Sequence, residues 1–418
     1  MDETTKTIHF FSFILPVRRH IGFLLIVLLI ICAGCAPVTK IITRYNSMKK
    51  IKISEYPKFY DHLNLKGLNH AIDQSLLYFN KLPETRIFNF GKDSFNVCNM
   101  KASLEKFLLF IRNNPSEEEV NRFIRQNYAI YRSVGKNSNS RMLFTGYYEP
   151  TIPGSLIKDD GYIYPLYSEP KDLVSINLSL FSYKFSKTPI LMARVNKKNQ
   201  VVPYFSRQEI NNINDFQKRA KPIAWVKNPI DRFFLEIQGS GRIMLKQGGF
   251  LRVHYLASNG RCYRSIGKYL MDKKEIAKKD MSMQSIRKWL DNHPKRMKEV
   301  FDYNPSFVFF KKENGGPFGC LGVEVTPIRS IATDRSLFPD GALCFIETQI
   351  PTIKEDRNPD KNPDNWSAYS GFVLNQDTGG AIRGPGRADL FYGDGSYARF
   401  AAGHMDNPGK LYFLVLKK

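Results

Sequence analysis

Apolar residues recur at helical spacing through the first third of the chain. Leu68, Ala71, Ile72, Leu76 and Phe79, then Leu104, Phe107, Leu108 and Ile111, fall at intervals that share one helix face. Residues from about Leu63 to Tyr131 are therefore expected to be helical. Asn114-Pro115-Ser116 followed by Glu117, Glu118 and Glu119 marks a helix start, because proline suits the first turn and the helix dipole favours acids there. The polar run 135–140 should end that helix. At Met142 the pattern changes to short apolar runs broken by Gly, Pro and Asn, among them 141–150, 189–195 and 233–238, which read as strands. Ile276, Ile286, Trp289 and Leu290, set among lysines, restore a helical pattern between Arg264 and Tyr303, and strand-like runs return from Phe307 onward. No internal repeat is present. The expected fold is mainly β, α+β overall, with a helical preface, a helical interlude and two lobes flanking a groove.

The beginning of the chain has a different character. Arg18-Arg19-His20 precede a run of twelve residues, Ile21 to Cys32, and the small residues Ala33 and Gly34 lead to Cys35. A basic flank, a short apolar core and small residues make a secretory signal, and twelve residues are too few to span a bilayer comfortably. The Ala33-Gly34-Cys35 ending resembles the bacterial lipoprotein signal, with Cys32 where that motif prefers Leu, Val or Ile. The resemblance implies lipidation of Cys35, and Ala36 after it favours the outer membrane. Residues 1–35 are thus read as a lipoprotein-type signal peptide and 36–56, polar and basic, as a tether.

Composition narrows the function. A chain of 418 residues with 43% apolar and 13% aromatic content can bury a sizeable core. A net charge of +23 favours polyanionic surroundings: nucleic acid, anionic membrane or an acidic cell-wall polymer. An export signal and dispersed Lys and Arg without a nucleic-acid module argue against nucleic acid. Cys98, Cys262, Cys320 and Cys344 remain after Cys35, with no CxxC pair and no clustered His, so no metal or cofactor is expected. Disulfides and buried thiols both remain open.

Three blocks could carry chemistry. Phe144, Tyr147, Tyr148 and Glu149 combine aromatic faces, hydroxyls and a carboxylate, which suits sugars; a core strand ending at Pro150 is the plainer alternative. Gln238, Gly239, Ser240 and Arg242 follow an expected strand, where binding groups are often presented, and Gln238 and Arg242 could donate to acetamide, hydroxyl or lactyl carboxylate groups. The third block places Asp377 and Asp389 twelve residues apart around Gly379, Gly380, Gly384 and Gly386. Glycine can let a ligand or strand approach closely, so these positions suit a sugar-binding floor; a glycine-rich hairpin with aspartates capping its turns is the alternative. Asp394-Gly395 reads as a hairpin turn.

Four segments occur in order: Phe144 to Pro150 (Phe-Thr-Gly-Tyr-Tyr-Glu-Pro), Glu236 to Arg242 (Glu-Ile-Gln-Gly-Ser-Gly-Arg), Asn259 to Gly267, and Asp377 to Ile382 continuing through Arg387-Ala388-Asp389-Leu390-Phe391. Together they resemble the membrane-bound lytic murein transglycosylase A family from about Leu143 to the C-terminus. The resemblance implies a six-stranded double-psi β-barrel split by a second, mostly-β domain, with an N-terminal helical segment. It maps the barrel domain and helical preface to 57–150 plus 305–418, and the inserted glycan-groove domain to 151–304. It further implies cleavage of the β-1,4 bond between N-acetylmuramic acid and N-acetylglucosamine without water, leaving 1,6-anhydromuramyl ends. By family resemblance Asp389 is the acid and base, and Asp377 a supporting carboxylate with either a substrate or a structural role. Thr145, with the aromatic and glycine positions above, joins the candidate substrate-binding set. Peptidoglycan strands, the outer membrane through a lipid anchor, and cell-wall-remodelling proteins are the implied partners. A hydrolytic barwin-like glycosidase using Asp377 or Glu149, and a non-catalytic wall-binding lipoprotein, are the rival readings.

Overall fold

The computed structural model describes residues 42–136, 139–159, 161–185, 190–352, 363 and 365–418. The expected signal peptide, the expected lipidation site Cys35, the first residues of the expected tether and part of the 135–140 loop lie outside them. Six strands close into a barrel: β1 (Met142–Tyr147), β2 (Ser330–Ala332), β3 (Leu343–Thr352), β4 (Asn365–Asp377), β5 (Arg387–Phe391) and β6 (Asp406–Leu416). Around the ring, β6 pairs β3, β3 pairs β4 and β2 pairs β5 antiparallel, while β4–β2 and β5–β1 are parallel. Antiparallel pairing of β1 with β6 completes the circle, leaving none of the six with a free edge inside the ring. Phe345 of β3 and Phe372 and Leu374 of β4 join Phe59, Phe107 and Leu104 from the preface in one continuous core.

The preface is less helical than its periodicity predicts. Helices Leu68–Phe79, Val97–Ile111 and Glu117–Asn127 are present, but Ile87–Phe90 and Asp93–Asn96 form a hairpin. Aromatic Phe88, Phe90 and Phe95 favour a pleated surface, and Gly91 supplies the left-handed turn between the two strands. Ser116 caps the third helix: its hydroxyl accepts from the Glu119 amide, and the Glu119 carboxylate accepts from the Ser116 amide. That helix stops at Asn127 because Tyr128–Ser133 forms a strand on the outer edge of β6. Met48–Lys50 adds a further strand there, so the end of the stretch read as a tether is already folded, with Ser47 and Met48 buried.

The chain leaves the barrel after β1 and builds a second sheet before returning at β2. Its six strands run in the order 308–313, 250–258, 240–245, 151–155, 222–226, 164–167. The last of these in sequence, Val308–Glu313, pairs with Phe250–Ser258, so the inserted sheet extends past Asn304. Helices 266–272, 283–292 and 297–303 share a separate apolar core with Ile230, Phe233 and Phe234, and the helix through Ile286, Trp289 and Leu290 lies where their spacing predicts it. A small third sheet, Val174–Ile176, Leu191–Val195 and Val201–Pro203, stands apart from both.

One expected strand is a helix. Pro229–Gln238, which includes the 233–238 run, is α-helical, with Asn228 as N-cap accepting from the Ile230 amide at 2.7 Å and Pro229 in the first turn. Gly239 ends it in the left-handed region at φ 79°, and Ile230, Phe233 and Phe234 bury one face at helical spacing. Gln238 and Gly239 therefore close a helix, and Ser240 and Arg242 lie on the strand that follows it.

Candidate functional site at the barrel end

Backbone register alone brings the key residues into one row. Ala332 of β2 pairs with Asp377 of β4 on one side and Asp389 of β5 on the other; Asp389 in turn pairs with Thr145 of β1. The two aspartates are thus two strand spacings apart, roughly 10 Å between Cα atoms. Arg387 precedes Asp389 by two and Tyr147 follows Thr145 by two, so strand alternation sets each pair on the same face. The alternation is a signal in the sequence, and it could have identified Arg387, which the motif reading passes over.

The Asp389 Oδ1 accepts the Thr145 hydroxyl. An Arg387 Nη2 donates to the same Thr145 Oγ1 at 3.4 Å. Burial pushes the Asp389 carboxyl up to about 6; the Arg387 guanidinium opposes that rise and the neighbouring Asp377 charge adds to it. Only an edge of Asp389 stays open to solvent. Phe391, on the same face of β5 two residues further on, is buried as well, in keeping with a dry setting.

Asp377 is held differently. Its Oδ1 accepts the backbone amides of Cys320 and Thr378, each at 2.8 Å. Burial raises its pKa, and those two amides pull it back. Gly319 permits this approach, since a Cβ there would lie 2.5 Å from the Gln376 carbonyl oxygen and 3.3 Å from the Asp377 Cγ. Tyr147 lies within hydrogen-bonding reach of Asp377, and burial, with the Asp377 and Asp389 charges adding to it, raises its phenol.

Gly379 and Gly380 follow Asp377 without left-handed φ, so the special backbone freedom expected of them is not used there. Gly380 is exposed and faces Tyr263: a Cβ on it would lie 3.9 Å from the Tyr263 Cβ. Tyr263 also feels the charges of Arg387 and Asp389. It belongs to the 259–267 block, whose place in the motif order gave no hint of its position.

The remaining candidates form a second cluster. Tyr148 is buried and its amide donates to Gln238 Oε1 at 3.0 Å. Glu149 is 1% exposed and accepts from Arg252 at 2.8 and 3.3 Å, with Arg242 Nε 3.6 Å away. Burial raises the Glu149 pKa despite both cations. Arg242 also bonds Asp394, which sits at the N-cap position of helix Gly395–His404 rather than in a hairpin turn. These ion pairs join barrel to insert beside a cleft of about 390 Å³ lined by Tyr148, Arg242, Arg287 and Arg399 among others. Asp377 and Asp389 do not line this cleft. Among the described cysteines, Cys344 alone is buried; Cys98, Cys262 and Cys320 are exposed, and these four are free thiols. No group of three or more His, Cys, Asp or Glu is arranged to hold a metal among the described residues.

Comparison with known proteins agrees with this architecture. Residues 143–311 match the family described as MltA specific insert domain, and residues 329–415 match the 3D domain. Membrane-bound lytic murein transglycosylase A of Escherichia coli strain K12 is 31% identical over 292 residues, 68% of each chain. The Vibrio cholerae protein of the same name is 28% identical over 343 residues, covering 78% of this chain and 81% of its own. Among solved structures, a membrane-bound lytic murein transglycosylase from Agrobacterium tumefaciens superposes with a TM-score of 0.71 at 26% identity, covering 88% of this chain and 98% of that one.

Proposed function

The chain belongs to the membrane-bound lytic murein transglycosylase A family, a peptidoglycan lytic transglycosylase, and from that premise we propose that Asp389 cleaves the murein glycan by acting first as acid and then as base. The bond is the β-1,4 link between N-acetylmuramic acid and N-acetylglucosamine. Neutral Asp389 gives its proton to the glycosidic oxygen as the C1–O bond breaks. The resulting carboxylate takes the proton from the muramyl C6 hydroxyl as O6 bonds to C1, closing a 1,6-anhydro ring. No water is consumed and Asp389 ends protonated.

The observation that carries this reading is a carboxyl raised to about 6 in a dry setting, held on one oxygen by the Thr145 hydroxyl, which leaves the other for the glycosidic oxygen. An acid of that kind can be neutral at the start and charged in the middle of the reaction. Asp377 supplies negative charge facing the oxocarbenium-like carbon. The Tyr147 hydroxyl, beside Asp377, together with Gly379, Gly380 and Tyr263, suits contact with a sugar ring. Thr145 acts through Asp389. Tyr148, Glu149, Gln238, Gly239, Ser240 and Arg242 shape the groove wall, and the paired state of Glu149 leaves it poorly suited to activate water.

The domain division places preface and barrel at 57–150 plus 314–418 and the insert at 151–313, since the insert's last strand, Val308–Glu313, pairs with Phe250–Ser258. Lipidation at Cys35 and placement on the periplasmic side of the outer membrane complete the proposal. No helix among the described residues is long and apolar enough to cross a membrane.

Digestion of purified peptidoglycan, with the muropeptides weighed by mass spectrometry, tests the reaction. Anhydromuramyl ends are expected; reducing ends would mean hydrolysis, and an unchanged polymer a binding protein. Asp389→Asn should lower the rate by roughly 10² to 10⁴. Near-full activity of that variant would sink the mechanism.

A further inference from the structure

The small three-stranded sheet carries one apolar face that is largely exposed, with Ala193 at its centre buried. Register pairs Val174 with Ala193 and Ile176 with Leu191; on the other side Val195 pairs with Val201 and Ala193 with Pro203. Directly paired residues project to the same side, so seven apolar residues and no polar one make up this face. Val174, Leu191, Val195 and Val201 on it are exposed. The opposite face is the one attached to the protein: Met192 lies against Gly260, and the Arg194 guanidinium stacks 3.9 Å from the Phe205 ring.

Beyond Ile176 the chain extends this surface. Leu180, Phe181 and Tyr183 are 83%, 76% and 82% exposed on two short 3-10 turns. Side chains of this kind are not normally left in water together, whereas single exposed apolar residues are ordinary. The surrounding charge has one sign. From Leu173 to Ser206 the sequence contains no Asp or Glu, and Lys184, Lys197 and Lys198 are exposed around the tip. The acids that flank the segment are engaged elsewhere: Asp172 bonds Arg219 and Tyr204, and Glu209 caps its own helix at Ser206.

We propose that this tip docks on an anionic lipid surface, its aliphatic and aromatic side chains entering the interface while its lysines meet the headgroups. An apolar face rimmed by lysines, with aromatic residues among aliphatic ones, matches an interface that is apolar below and negative above. A sugar strand would be served by aromatic rings alone, and leaves the exposed Leu, Ile and Val without a role. The docking surface is independent of the catalytic reading, since none of its residues belongs to the barrel-end site.

The test uses the full chain with Phe181→Trp, and with Leu109→Trp on helix Val97–Ile111 as a control at another exposed apolar position. The chain has three tryptophans of its own, so the signal is the difference from the unsubstituted protein. Each protein is reconstituted with vesicles of phosphatidylethanolamine and phosphatidylglycerol that carry brominated acyl chains. Bromine should quench and blue-shift the F181W emission but not that of L109W, and adding Leu180→Ser and Tyr183→Ser should abolish the quenching while murein cleavage persists. Absence of quenching at F181W overturns the proposal. So does equal quenching in pure phosphatidylcholine, which would remove the anionic requirement. A vesicle-free blue shift that grows with protein concentration would assign the face to a second copy of the chain, and one produced by soluble glycan fragments would assign it to substrate; either also overturns it.

Discussion

In the proposed mechanism Asp389 is neutral before the glycosidic bond breaks and charged immediately after, so the position of its titration would set the pH range of activity. Protonated Asp389 is the reactant, and the rate should therefore fall as pH rises through about 6. The neighbours move that limb in opposite directions. Arg387 holds the carboxyl down, so Arg387→Met should shift the limb to higher pH; Asp377 pushes it up, so Asp377→Asn should shift it lower. Measuring kcat/KM against pH for both variants checks this, and equal or same-direction shifts would contradict it. The two aspartates interact, so the measured values belong to the pair. Of these groups, Asp377 and Asp389 were legible because they stand in a specific motif. Arg387 was legible only as a residue two places before Asp389 on a strand. Cys320 was not legible at all: what it offers Asp377 is a backbone amide, from a segment 57 residues away.

Short elements show where pattern reading succeeds and where it fails. Helix 283–292 was visible because Ile286, Trp289 and Leu290 keep a 3.6-residue period among polar residues. Helix 229–238 was obscured because Phe233-Phe234-Leu235 is a continuous apolar run, which periodicity cannot assign to helix or strand. The deciding information lay at its ends, where Asn228, Pro229 and Gly239 spell a cap, a first turn and a left-handed stop. Those ends should be measurable. Asn228→Ala should cost about 1 kcal/mol through the lost cap, and Gly239→Ala about 1 to 2 kcal/mol through the left-handed backbone. Urea denaturation reads both; a Gly239→Ala protein as stable as the parent would contradict the backbone argument. The opposite error arose in the preface, where Tyr128–Ser133 became a strand because β6 offered it an edge, information that exists only after distant residues meet. The barrel itself was accessible through family resemblance rather than periodicity, since its parallel pairs join strands far apart in sequence.

At the scale of the whole molecule, the preface and the barrel are held together by a buried ion pair. Arg329, just before β2, is fully buried and donates to both oxygens of Asp61 at 2.6 and 2.8 Å. Two more of its N–H groups donate to the Lys66 and Phe372 carbonyl oxygens, while the Phe372 amide donates to Asp61 at 3.0 Å. Such a pair contributes little compared with a well-packed apolar substitute, but breaking one half strands the other charge. Asp61→Asn should therefore destabilise the protein by about 3 to 5 kcal/mol, an uncompensated buried arginine being the cause. The pH dependence has a definite sign. Burial raises the Asp61 pKa, but Arg329 and the backbone amides outweigh it and leave the carboxyl below its ordinary 3.8. A depressed folded-state pKa means stability that is fully present above the unfolded value and is lost as pH falls from there through the folded value. Unfolding followed between pH 7 and pH 2 should show the parent losing stability at the acid end, and Asp61→Asn losing less over the same interval. If the two curves ran parallel throughout, Asp61 would not be the group whose protonation separates preface from barrel.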